Sequence, residues 1–155
     1  MKGGDCIPMI RVDYHLHPNI PRWGKGAWMR RWWQAIEANH LDAIVVTEHS
    51  YRDQQAAYDL MLTYQPLGSK THVFAGIEVL TAEGLEIIVF AKDRSVYSHE
   101  ALMRPKHRSM ESIIEFLRSH KGLVGIVPHP CTPGTTSIVR KEGLASAKAL
   151  GIAAK

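Results

Sequence analysis

His15 and His17 stand one residue apart in the run Val12-Asp13-Tyr14-His15-Leu16-His17. If that run is a strand, residues at i and i+2 project from one face, so both imidazoles can aim at a single point. Imidazole nitrogen suits zinc and related divalent metals. Other metal-binding side chains recur along the chain, as Glu48-His49, Glu78, Glu86 and His129-Pro130. Any one of them is common as a packed or solvated side chain. Together, at the ends of separate apolar runs, they are hard to explain as core packing, because charged groups there need partners. His15, His17, Glu78 and His129 form the candidate catalytic set. His49 and Glu86 join them as candidate metal ligands. If the second run stays extended, Thr47 and His49 share a face and Glu48 points the other way, so His49 is the better ligand candidate of that pair.

The elements that must hold these residues are legible as changes of hydrophobic period. Ile10–His15, Leu41–Thr47, His72–Val79, Leu85–Ala91 and Leu123–Val127 read as strands. Leu41–Thr47 is a continuous, β-branched run, as in a parallel sheet covered on both faces. The turn signal Glu83-Gly84 allows the third and fourth strands to pair as a hairpin. Ala27–Asn39 reads as a helix with Trp28, Trp32, Ala35 and Ile36 on one stripe. Gln54–Tyr64 reads as a second helix, ended by Pro66 and Gly68. Ser109–His120 reads as a third, with Ser109 able to cap it and Gly122 closing it. The segment 92–108 is polar and irregular. Cys131–Gly134 reads as a turn, and Ile138–Leu150 as a last helix. The order β-α-β-α-β-β-α-β-α implies an α/β chain with a mostly parallel sheet. In such sheets functional groups collect at the carboxyl ends of the strands.

Length and composition set the limits. The chain has 155 residues, near the usual size of one domain, and is too short for a complete eight-unit β/α barrel, which needs about 200 or more. We take 1–155 as a single domain. Hydrophobic residues make up 45% and charged residues 22%, ordinary for a globular chain. The net charge of +4 suits an anionic substrate but does not by itself argue nucleic-acid binding. Arg22, Lys25 and Arg52 fall in loops after the first two strands and are candidates for holding a phosphate. Two isolated cysteines, Cys6 and Cys131, fit a reducing cytoplasm. No run of 18 apolar residues is present, so no membrane partner is expected. Trp23, Trp28, Trp32 and Trp33 are interleaved with Arg22, Lys25, Arg30 and Arg31. That pattern admits base stacking on a single strand or an interfacial helix, but the stripe Trp28–Trp32–Ile36 is more simply packing. Trp33 and Arg30 lie off the stripe.

The segments VDYHLH, LDAIVVTEHS, FAGIEVLTAEGLEIIVFA and GLVGIVPHPCTPG resemble, in order and spacing, successive motifs of the PHP (polymerase and histidinol phosphatase) domain. The resemblance spans residues 10–134 and includes the subgroup in which Glu86 stands where other members place a metal-binding His. It implies a distorted (β/α)7 barrel with up to three divalent metals (Zn, Mn or Fe). His15 and His17 would hold one ion, Glu78 would bridge to a second held with His129 and Glu86, and His49 would hold a third. The third site lacks the Asp or His that the family offers after His-x-His, since this chain reads Pro18-Asn19-Ile20-Pro21-Arg22. The family's closing Asp-x-His is also missing before Lys155. A partial barrel lacking its last strands is therefore expected, as a fragment or as an oligomer covering the open edge.

The function implied is hydrolysis of phosphate esters by a metal-activated water. The substrate would be a phosphorylated small molecule or nucleotide, with nucleic acid a weaker option. One alternative is a truncated or degenerate PHP-like module without catalysis, serving metal binding or interaction. Another is an amidohydrolase-type metal hydrolase, where His-x-His also follows a first strand; no bridging lysine at a strand end supports it.

Overall fold

The structure, a computed structural model, describes residues 9–130, so the turn at Cys131–Gly134 and the helix expected at Ile138–Leu150 lie outside the described residues. Five strands form one sheet in the order β1 (Val12–Leu16), β2 (Ala43–Val46), β3 (His72–Leu80), β4 (Glu86–Ala91) and β5 (Leu123–Ile126). β1–β2 and β2–β3 are parallel. β3–β4 and β4–β5 are antiparallel, and the β3–β4 ladder is the longest. The sheet is thus mixed and, among the described residues, open, with β1 and β5 as its edges.

This corrects the expected partial (β/α)7 barrel of PHP type with a mostly parallel sheet. The reason lies in the connection after β3. A parallel neighbour needs a crossover of a dozen or more residues, usually a helix. Here the chain turns back within Thr81–Leu85. Gly84 adopts the left-handed region (φ 74) that suits a tight turn. The Thr81 hydroxyl accepts from the Leu85 amide at 3.0 Å, and the Thr81 amide donates to the Leu85 carbonyl at 2.8 Å. β4 therefore returns antiparallel, and β5 pairs antiparallel on its far side.

Helices pack on the sheet in chain order: α1 (Lys25–Ala38) after β1, α2 (Gln54–Thr63) after β2, then a 3-10 turn (Arg94–Ser98), α3 (Glu100–Met103) and α4 (Met110–Ser119) between β4 and β5. The segment 92–108 is thus partly helical rather than wholly irregular. Asp53 caps α2 by accepting from the Ala56 amide, and Ser109 caps α4 by accepting from the Ser112 amide, satisfying donors that a helix start leaves free. Alternate strand residues Ile44 and Val46, Ala75, Ile77 and Val79, and Ile87 and Val89 join Met29, Trp33 and Ile36 of α1 and Ala57, Tyr58 and Met61 of α2 in one apolar cluster.

The stripe expected on α1 is shifted by one position. Trp33 is buried, and its indole N–H donates to the Met61 carbonyl at 2.9 Å. Trp28 and Trp32 pack at the cluster's margin, and both indoles donate to the Pro18 carbonyl, at 2.5 and 3.1 Å. The tryptophans are thereby largely structural, clamping the segment after β1 to α1. Trp23 is the exposed one, with the Arg22 guanidinium 5.4 Å from its ring centre. No described helix is long and apolar enough to cross a membrane.

Candidate metal centre

All the side chains proposed as ligands come to one end of the sheet. β1, β2, β3 and β5 run in one direction and contribute from or beyond their carboxyl ends, and the reversed β4 contributes Glu86 from its start. Local bonds set this end. The Asp13 carboxylate accepts from the His15 amide at 3.0 Å, at the point where the β1–β2 register is interrupted. The Thr47 hydroxyl donates to the Leu16 carbonyl, and the Thr47 amide donates to the same oxygen. β2 ends at Val46, yet His49 returns to bridge Glu78 in parallel fashion, with the Ser50 amide donating to the Glu78 carbonyl. Buried Gln54 donates to the His49 carbonyl at 2.8 Å, fixing the backbone from the helix side.

Glu78 is the hub, at 2% exposure. Its two oxygens divide four imidazoles between them. Oε1 lies 2.9 Å from His15 Nε2 and 3.5 Å from His129 Nε2. Oε2 lies 2.6 Å from His49 Nδ1 and 3.4 Å from His17 Nε2. Such a division is what a carboxylate bridging two ions would have. His15 and His17 present their Nε2 atoms to each other at 2.8 Å, so both histidines reach the same point. His129 Nε2 is also 3.5 Å from Glu86 Oε2, which brings in the last expected ligand. His129 takes this place at φ 34, a left-handed backbone that is uncommon for a non-glycine residue, and more so before a proline.

The cluster passes a test of fit for a cation. Both Glu78 oxygens and His17 Nδ1 are buried without a hydrogen bond of good geometry, although nitrogens crowd the carboxylate. A buried carboxylate left that way is costly unless something positive completes it. Three overlapping groups have ligand atoms within 4.8 Å of one another: His15–Glu78–His129, His17–Glu48–His49 and His49–Glu78–Glu86. These buried His/Glu groups could hold a metal ion.

Two groups of the cluster depart from their ordinary values. Burial works against ionising Glu78, but the contact with His15 and the charges of His17, His15 and His49 outweigh it and hold the carboxyl below its usual range. Burial lowers His17 below its ordinary value against the pull of Glu78, and His49 and His15 add to the lowering. Metal binding needs an ionised carboxylate and neutral imidazoles, so a bound cation would take over beside Glu78 the part these imidazole charges play.

Beside the cluster lies an open cavity of about 420 Å³ lined by Arg22, Lys25 and Arg52 together with Ile20, Pro21 and Glu48. The three cationic residues singled out from the sequence are thus neighbours. Glu48 ranks below His49 in the sequence only on the condition that the second strand stays extended, and that condition fails. Glu48 is 2% exposed and belongs to the ligand groups, because β2 stops before Thr47 and the alternation no longer applies. The signal available was the segment Thr47-Glu48-His49-Ser50, whose polar residues mark the end of an apolar run.

Fold and site together define a mixed α/β chain with a His/Glu cluster at one end of an open sheet. No family model matches the chain. No curated protein matches it either. Among solved structures, the crystal structure of PsfC from Pseudomonas syringae PB-5123 is similar, with a TM-score of 0.65 and 22% identity over 94% of this chain and 72% of that one. At that identity the likeness speaks for the fold alone.

Proposed function

We propose that this protein is a metal-dependent hydrolase of phosphate esters. One observation carries the reading: the His/Glu cluster and the cationic cavity adjoin, with Glu48 belonging to both. His15, His17, His49 and His129 would hold one or two ions around Glu78, and Glu86 would supplement them. A bound divalent cation lowers the pKa of water toward about 7 and offsets negative charge on phosphoryl oxygens. Arg22, Lys25 and Arg52 would bind and orient the rest of the phosphate, with Arg best suited to planar, two-point contact. The resemblance of the strand-end motifs to those of the PHP domain supports the same chemistry at the level of residues. Zn, Mn and Fe all suit a mixed His and carboxylate set. A cytoplasmic setting, inferred from the isolated cysteines, belongs to this proposal too.

The test is an assay of a generic phosphomonoester with protein loaded with Mn or Zn. Metal-dependent turnover that disappears in His15→Ala is expected. Stoichiometric metal without turnover would leave a metal-binding module and sink the hydrolase reading. Cleavage of an amide or lactone in place of the phosphoester would favour amidohydrolase chemistry.

A further inference from the structure

Glu48 lies between the two halves of the site. Its Oε2 accepts from the Asn19 amide at 2.8 Å, and its Oε1 accepts from the His49 amide at 3.3 Å. The same Oε1 faces His17 Nδ1 and Arg52 Nε, each at 3.9 Å. Asn19 adopts a left-handed backbone (φ 47), a conformation that Asn tolerates better than most residues. The Asn19 amide contact ties down the segment that leads to Arg22 and the cationic cavity.

His17 explains why a carboxylate belongs here. Its Nε2 is committed to the cluster, 2.8 Å from His15 Nε2 and 3.4 Å from Glu78 Oε2. For Nε2 to offer a lone pair to a cation, the imidazole proton must sit on Nδ1. Nδ1 is buried and has no hydrogen-bond partner, and the carboxylate it faces is Glu48. A separation of 3.9 Å is too long for a hydrogen bond, and a shift of about 1 Å would close it. Metal-ligating histidines commonly donate their second ring N–H to such a carboxylate, which fixes the tautomer and the ring orientation.

We propose that Glu48 is a positioning residue that holds His17 in the Nδ1–H tautomer, so that Nε2 is free to ligate, while anchoring the Asn19 turn that carries the cationic wall. The inference rests on the metal-binding reading of the cluster. Glu48→Gln discriminates because its single amide oxygen cannot accept from both sides. If the oxygen serves Asn19, the NH2 group faces Nδ1 and favours the Nε2–H tautomer, which cannot ligate through Nε2. If the amide flips, the NH2 group opposes the Asn19 amide.

The experiment measures the His17 tautomer by ring 15N shifts in the metal-free protein and zinc affinity by competition with a chromophoric chelator. Wild type is expected to show His17 with Nδ1–H and to bind zinc. Glu48→Gln is expected to lose that preference and to bind zinc about 10- to 100-fold more weakly. Glu48→Asp keeps the charge on a shorter arm and is expected to lose less. An unchanged tautomer and unchanged affinity in Glu48→Gln would overturn the proposal. Should Glu48→Gln fail to fold, Glu48→Asp decides: it must retain the Nδ1–H form, and loss of that form counts against the proposal. A wild type that binds no zinc would defeat the metal reading, while the tautomer comparison still judges Glu48.

Discussion

Glu78 is the side chain on which the site depends. It is buried, its oxygens lack good hydrogen bonds, and four imidazoles approach it from two sides. Glu78→Gln keeps the shape and removes the charge. Zinc affinity is expected to fall by at least about tenfold, measured by chelator competition, because a direct ligand should matter no less than an outer carboxylate. The residues legible in the sequence were those at strand ends, because several His and Glu residues ending separate apolar runs are together hard to explain as core packing, although any one alone is not. Glu48 was legible as a candidate, but its rank below His49 hung on where the second strand ends. Strict alternation through Thr47–His49 would turn Glu48 away, whereas the strand stops at Val46 and Thr47 is tied to the Leu16 carbonyl through both its amide and its hydroxyl. Trp33 was misplaced for a related reason: a helix stripe read one position off turns a core residue into a surface one.

At the scale of elements, caps and ring contacts make separate predictions. Ser109 caps α4, so Ser109→Ala is expected to cost about 1 kcal/mol in chemical denaturation, with no effect on metal affinity. α3 and α4 meet through rings: His99 lies edge-on to Phe116 and His120, each at 5.1 Å between ring centres. Burial, then the neighbouring His120, holds His99 below its ordinary value. The unfolded chain therefore takes up this proton more readily than the folded one. Stability from His99 is full above about pH 6.5 and is lost as pH falls toward the folded value. Denaturation midpoints followed from pH 7.5 to 5.5 should fall less steeply in His99→Gln than in wild type. The positions of the strands were largely legible from their β-branched runs. β5 runs with β1–β3, as a parallel reading expects; its partner was not legible, because a four-residue apolar strand does not show that it lies beside the reversed β4. The hairpin at Glu83-Gly84 was visible, yet its consequence for the whole sheet, two antiparallel ladders in place of a barrel, was not drawn from it.

At the scale of the molecule, the core and the site are two sources of stability. Trp33 is buried in the core cluster and donates to the Met61 carbonyl of α2, so Trp33→Ala is expected to cost about 3–5 kcal/mol in chemical denaturation. The site contributes only when it is filled: a ligand at one hundred times its Kd adds about 2.7 kcal/mol. The alternation of strands and helices made the α/β class legible, but a mixed open sheet and a parallel barrel share that alternation over their first units. Long-range pairing separates them, and local sequence does not encode it directly. The central claim is that the histidines around Glu78 form a metal centre. The most direct measurement is calorimetric titration of the purified metal-free protein with zinc near pH 7.5, beside Glu78→Gln. The account expects saturable binding in the wild type and a loss of at least about tenfold in the variant. No binding in the wild type, or equal binding in a folded Glu78→Gln, would contradict it.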